Sequence, residues 1–176
     1  MTPKLILVLG GARAGKSTFA LRLAKERAGE GSVTFIATAQ ALDTEMAQRI
    51  ARHRDERPAH WTTIEEPLQL DRALIQAFDS DVALVDCLTL FVSNWLLRED
   101  EQTFLEVSQR FLANVRSRTQ TTIVVSNEVG LGLVPETPLG RTFRDALGRV
   151  NQQFAEAADE VYLLVAGLPL RLKPRD

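Results

Sequence analysis

An apolar run, Leu5-Ile-Leu-Val-Leu9, breaks directly into Gly10-Gly-Ala-Arg-Ala-Gly15-Lys16-Ser17. The second string meets G-x-x-x-x-G-K-[ST] at every fixed position, and it lies between a strand with no polar face and a helix. Such a strand has to be covered on both sides, as in a parallel sheet layered with helices. The loop adds a chemical demand. Gly10 and Gly15 let the backbone turn so that the N–H groups of Gly11, Ala12, Arg13 and Ala14 converge on phosphate oxygens. The helix that begins near Lys16 contributes its positive end. Lys16 brings a point charge to the terminal phosphates, and the Ser17 hydroxyl is placed for Mg²⁺. A nucleoside triphosphate is implied, without a choice between ATP and GTP.

The rest of the chain repeats the strand-to-helix alternation. Strands are expected at Val33–Ala37 and at residues 61–64, 82–85, 122–125 and 161–165. Helices are expected at 17–27, from an Asp43 cap to about 54, at 67–78 behind Pro67, at 90–97, at 102–118, and from a Thr137 cap with Pro138 to about 157. Gly167, Pro169 and Pro174 suggest an irregular tail. With 176 residues, no repeat and no linker, this is an α/β fold of the P-loop NTPase-like type, a mostly parallel sheet with helices on both faces, in a single domain. Residues 90–97 are apolar around more than one face, with Phe91, Trp95 and Leu96, which suggests an interface between subunits.

Composition removes several classes. A net charge of −2 argues against a nucleic-acid coat, and a single cysteine excludes an internal disulfide and a cysteine-rich zinc module. The apolar run at 5–9 is too short to span a bilayer and lacks a cleavage site, so no integral membrane segment and a cytoplasmic location are expected.

Other site candidates sit at strand ends, where parallel sheets collect their ligands. Val82-Ala-Leu-Val-Asp86 places Asp86 to hold the metal or to meet the nucleotide. Asn127 and Glu128 follow a strand toward the same crevice, with Gly130 and Gly132 as hinges for a lid. The segment Ser126-Asn-Glu-Val-Gly130 lacks the lysine and aspartate of the guanine-reading N-K-x-D string, which weakens a switch-GTPase reading. His53 falls on one helical stripe with Met46 and Ile50. By spacing alone it is either a packed histidine or a nucleophile.

Several strings together bear on that choice. Ile36-Ala-Thr-Ala-Gln40, Asp43-Thr-Glu-Met46 and Arg49-Ile-Ala-Arg-His-Arg-Asp-Glu-Arg-Pro-Ala-His-Trp61 stand beside the P-loop. Further along come Ser126-Asn-Glu-Val-Gly-Leu-Gly-Leu-Val-Pro-Glu136, Phe143-Arg-Asp, Gly148-Arg-Val-Asn151 and Ala157-Ala-Asp-Glu-Val161. In this order, from Leu5 to Val165, the chain resembles the bifunctional adenosylcobinamide kinase/adenosylcobinamide-phosphate guanylyltransferase family. The resemblance implies phosphorylation of adenosylcobinamide by ATP or GTP. It then implies transfer of GMP from GTP onto that phosphate, through GMP held on a histidine, giving adenosylcobinamide-GDP and pyrophosphate.

The matching histidine is His53. A neutral imidazole is a competent nucleophile at pH 7 and passes the nucleotidyl group onward. The resemblance also implies nucleotide contacts at Ala37, Thr38, Glu65 and the residues after His53, where Arg54 and Arg57 stand ready to neutralise an α-phosphate. Asp86 occupies a position where the family carries glutamate. A homo-oligomer, of which a trimer is one form, is implied as well. Two other readings stay open on the residues alone: a kinase of another small molecule with an inert His53, and a nucleotide-binding regulatory module.

Overall fold

The computed structural model describes residues 4–98 and 101–174. Its elements run β1 (Leu5–Gly10), α1 (Lys16–Ala28), β2 (Val33–Ala37), α2 (Thr44–Asp55), β3 (Thr62–Glu65), α3 (Leu70–Gln76), β4 (Val82–Asp86), α4 (Leu88–Leu96), α5 (Glu101–Ser117), β5 (Thr121–Val125), α6 (Pro138–Ala157), β6 (Glu160–Val165) and β7 (Leu168–Lys173). One sheet holds all seven strands in the order β3-β2-β4-β5-β1-β6-β7. Every pairing is parallel except β6 with β7, which is antiparallel.

The apolar strands explain the layers. Successive side chains of a strand point to opposite faces. Leu5, Leu7 and Leu9 of β1 join one core with Leu74, Phe91, Phe111 and Phe154, from α3, α4, α5 and α6. Ile6 and Val8 join the other core, with Ala20 and Leu23 of α1 and Trp61. The parallel α/β fold is therefore as expected. Two expected caps are present too: Asp43 Oδ1 accepts from the Met46 N–H at 2.7 Å, and Thr137 Oγ1 accepts from Gly140 N–H at 3.1 Å.

Three expectations need correcting. The tail is not irregular, because Ala166 and Gly167 both take positive φ and turn the chain into the edge strand β7. The helix after Pro67 begins later, at Leu70, because Glu66 Oε1 accepts from the N–H groups of Leu68 and Gln69, each at 2.9 Å, and holds a turn there. Finally, α4 buries most of its apolar surface within the chain, so its apolarity alone does not mark a subunit contact. Leu88, Phe91 and Val92 are fully buried, Trp95 is 5% exposed, and its Nε1 donates to Leu68 O at 3.0 Å. Its all-round apolarity reflects burial between the sheet and other helices.

Arg118 is fully buried and stitches α5 to the end of α3. Its Nη1 donates to Ala77 O at 2.5 Å and its Nη2 to Ser80 O at 2.8 Å. Arg118→Met is expected to strip Ser80 O of this donor, leave Ala77 O with only the Ser80 N–H, and cost about 1–3 kcal/mol in urea unfolding. The kinetic constants should stay unchanged, because Arg118 lies away from the strand ends that form the site. No helix among the described residues is long and apolar enough to cross a membrane.

Candidate active site

The phosphate loop carries the strain that its sequence anticipates. Gly15 has φ +90° at the cap of α1, and Arg13 has φ +57°. At Gly10, φ is +155°, and a Cβ there would stand 2.7 Å from Leu164 O, so only glycine fits. The β6–β7 turn braces the loop from outside, with Gly167 N–H donating to Ala14 O at 3.1 Å. Gly11 and Ala12 are exposed at the crest of the loop.

Lys16 begins α1 and is 8% exposed. Its Nζ donates to Gly11 O at 2.6 Å, so the ammonium lies back along its own loop. Burial holds its pKa below the ordinary lysine value of 10.5, partly offset by the neighbouring Asp86 carboxylate. An incoming polyphosphate would supply the counter-charge that this buried amine has only in part.

Asp86 ends β4, which is separated from β1 by β5. Helix α1 crosses over β5, and Ser17 Oγ donates to Asp86 Oδ2 at 3.0 Å. The hydroxyl and the carboxylate expected to serve one metal are thus in contact. Two oxygens at one point suit a hard cation such as Mg²⁺, which takes its remaining ligands from phosphates and water. Among the described residues there is no cluster of three or more His, Cys, Asp or Glu that would hold a metal by protein ligands alone. The donor set therefore fits a nucleotide-borne ion.

A cavity of about 920 Å³ opens above these strand ends. Lys16, Ser17 and Asp86 line its floor, together with Arg13, Ala14 and Gly15. The opposite wall is α2, a helix with no buried residue. It presents Met46, Ile50 and His53 to the cavity, with Arg54 and Arg57 alongside. His53 is half-buried, whereas His60 is exposed and does not line the cavity. Ala37 and Glu65, at the ends of β2 and β3, complete that side.

The arginines differ. Arg54 Nη2 lies 2.6 Å from Glu65 Oε1 in a solvent-exposed pair, an arrangement worth little to stability. Arg57 lies flat on Phe35, its guanidinium carbon 3.5 Å from the ring centre. Its Nε is buried without a hydrogen-bond partner, and burial lowers its pKa. Its Nη1 donates to Thr63 Oγ1 at 3.4 Å, and the side chain lines the cavity as a cation for an incoming anion. Thr38 does something else: it is fully buried, its hydroxyl donating to Cys87 O at 2.8 Å and accepting from Cys87 N–H at 2.7 Å.

Sequence reasoning missed the struts beneath the site. Asn94 Nδ2 donates to Thr38 O at 3.0 Å and Pro67 O at 3.1 Å. Thr89 Oγ1 accepts from Asn127 N–H at 2.8 Å, and Asn151 joins Ser126 Oγ at 2.7 Å to Asn127 O at 3.0 Å. Polar residues on otherwise apolar helix faces were the available signal. Cys87 lies in this layer, where burial and the Asp86 carboxylate push its thiol up to about 11. At pH 8 roughly one thiol in a thousand is then ionised. Alkylation of Cys87 by iodoacetamide at pH 8 is expected to run roughly a hundredfold slower than in the urea-unfolded chain, as mass spectrometry would show.

The CobU family, described as cobinamide kinase / cobinamide phosphate guanyltransferase, matches residues 6–172. The chain belongs to the CobU family. The bifunctional adenosylcobalamin biosynthesis protein CobP of Pseudomonas aeruginosa is 48% identical over 168 residues, covering 95% of this chain and 96% of that one. CobU of Escherichia coli, with the same description, is 42% identical over 184 residues, covering 96% and 99%. Among solved structures, the flagellar accessory protein FlaH of Methanocaldococcus jannaschii overlays with a TM-score of 0.58 at 16% identity, over 96% of this chain and 77% of that one. That likeness concerns the fold. The CobU resemblance expected from the motifs at the P-loop, around His53 and after β5 thus extends across nearly the whole chain.

Proposed function

We propose that this CobU-family chain catalyses both reactions its family is described by, with adenosylcobinamide as the first substrate. The observation that carries the reading is a single cavity lined on one side by the phosphate loop and on the other by His53. In the first reaction the phosphate loop holds ATP or GTP, and the aminopropanol oxygen bonds to the γ-phosphorus as the β–γ bridging bond breaks. The nucleoside diphosphate leaves and the hydroxyl proton is lost to solvent. Lys16 gathers the charge on the terminal phosphates, while Ser17 and Asp86 are the residues that would hold Mg²⁺. When bound there, Mg²⁺ neutralises phosphate charge as the bond breaks.

In the second reaction an imidazole nitrogen of His53 attacks the α-phosphorus of GTP. The bond from that phosphorus to the bridging oxygen breaks, and pyrophosphate leaves. A phosphate oxygen of adenosylcobinamide phosphate then attacks the same phosphorus, and His53 departs as the leaving group. Arg57, which lines the cavity, supplies positive charge to the α-phosphate, and Arg54 is available once it leaves Glu65. The GTP for this step lies with its triphosphate on Lys16 and its base toward α2, near Ala37 and Glu65, with buried Thr38 bracing that strand end from beneath.

The protein acts in the cytoplasm as a homo-oligomer, a trimer by the family resemblance. Val165, Leu168 and Leu170 leave an exposed apolar edge for such contacts, at 58%, 73% and 57% exposure. The test is a product assay with adenosylcobinamide, Mg²⁺ and a nucleotide. ATP alone is expected to give adenosylcobinamide phosphate, and GTP to give adenosylcobinamide-GDP with pyrophosphate. Phosphorylated product without pyrophosphate under GTP would favour a simple kinase with an inert His53. Nucleotide hydrolysis with no corrinoid product would favour a regulatory module.

A further inference from the structure

The segment between β5 and α6 is held at both ends and apolar in the middle. At its start, Asn127 N–H donates to Thr89 Oγ1 at 2.8 Å and Glu128 N–H to Gly10 O at 3.0 Å. At its end, Arg141 Nη1 donates to Pro135 O at 3.0 Å and to Glu136 O at 2.7 Å. Between these clamps runs Val129-Gly-Leu-Gly-Leu-Val134, six residues without a charge in a chain that is 25% charged. Val129 packs inward on the core. Leu131, Leu133 and Val134 instead stand out into solvent at 81%, 94% and 68% exposure. Unmet apolar surface of this kind, on an anchored loop, marks a contact with something.

We infer that Leu131, Leu133 and Val134 form a lip that seats the corrin ring of the acceptor beside the phosphate loop. This rests on the reading of the chain as a corrinoid kinase and guanylyltransferase. Three observations select that occupant. The lip sits on a segment anchored at the site: Asn127, where that segment leaves β5, lines the cavity, and Glu128 N–H donates to Gly10 O of the phosphate loop. The acceptor is larger than the nucleotide that the cavity has to take, so most of it must rest on the surface around the mouth. Lastly, three side chains supply only a fraction of the about 800 Å² per partner that a stable protein interface buries, but they suit one face of a flat, partly apolar ring.

The lip accounts for how one acceptor serves two reactions. The ring stays on the lip while its aminopropanol arm presents first a hydroxyl and then a phosphate to the cavity.

The experiment uses the full chain carrying Leu131→Ser and Leu133→Ser together, with Ile75→Ser, an exposed apolar residue of α3, as control. The double variant is expected to raise KM for adenosylcobinamide about tenfold in the kinase step, and KM for its phosphate by a similar factor in the guanylyl step. Its kcat, its formation of GMP-enzyme from GTP alone, and its elution volume in gel filtration should all match the wild type. Unchanged acceptor KM values would overturn the lip. So would a change of elution volume with the loss of activity, because the loop would then be a subunit contact. Failure of the parent reading looks different: the wild type would make no phosphorylated corrinoid at all.

Discussion

Substituting His53 by alanine is expected to lower guanylyl transfer by at least roughly 10⁴-fold while leaving phosphorylation of adenosylcobinamide within about threefold. The expectation rests on where the residue stands. His53 faces the same cavity as Lys16 yet belongs to α2, the wall opposite the phosphate loop. Removing its imidazole deletes the only histidine in that cavity and touches neither Lys16 nor the Ser17–Asp86 pair. Because α2 buries no residue, the substitution should also leave the midpoint of thermal unfolding within about a degree. Separate assays with ATP and with GTP on adenosylcobinamide phosphate check the split. A variant that loses both activities equally would make His53 a binding residue for the shared acceptor.

Lys16→Ala should behave in the opposite way, depressing both reactions by roughly 10³-fold, since each needs the triphosphate seated on the same ammonium. Stability should hold or rise slightly, because the substitution removes a buried amine whose charged form burial disfavours. The pH profile is a second readout. With the Lys16 pKa held below 10.5, the wild-type amine loses its proton earlier than an ordinary lysine as pH rises. Nucleotide affinity should therefore fall on the alkaline side ahead of the usual lysine range, and Lys16→Ala should abolish that limb. An alanine variant that keeps the kinase rate would remove the phosphate loop from the chemistry.

How much of this could be read beforehand depended on range. The phosphate loop was legible because its function is local: a strand, a turn with two obligatory glycines and a helix start are contiguous, and the positive φ of Gly10 and Gly15 bears out both glycines. Asp86 was legible as a strand-terminal acid, although its contact with Ser17 depends on α1 crossing β5. The α2 stripe of Met46, Ile50 and His53 showed in the spacing, but spacing alone could not tell packing from chemistry. What decided the orientation was the absence of any buried residue on that helix.

Long-range pairings were not legible. Glu66 stopping the helix after Pro67 is a side-chain capture that propensity does not report. The β7 strand was hidden by Gly167 and Pro169, which suggested irregularity but form a hairpin turn and its edge strand, where proline is tolerated. The apolarity of α4 signalled contact without saying with what. Its partners were the sheet, α5 and α6 of the same chain. Arg57 on Phe35 and Asn94 beneath Thr38 join residues 22 and 56 positions apart, beyond any motif.

The central claim is that one P-loop chain carries both a phosphoryl and a guanylyl transfer, the second through His53. Incubation with Mg²⁺ and GTP labelled at the α-phosphorus, beside a γ-labelled control, tests it most directly. The account predicts acid-labile, base-stable label from the α position only, mapping to the peptide that contains His53 and disappearing on addition of adenosylcobinamide phosphate. Label absent from both forms, or an α-label that persists in His53→Ala, would contradict it.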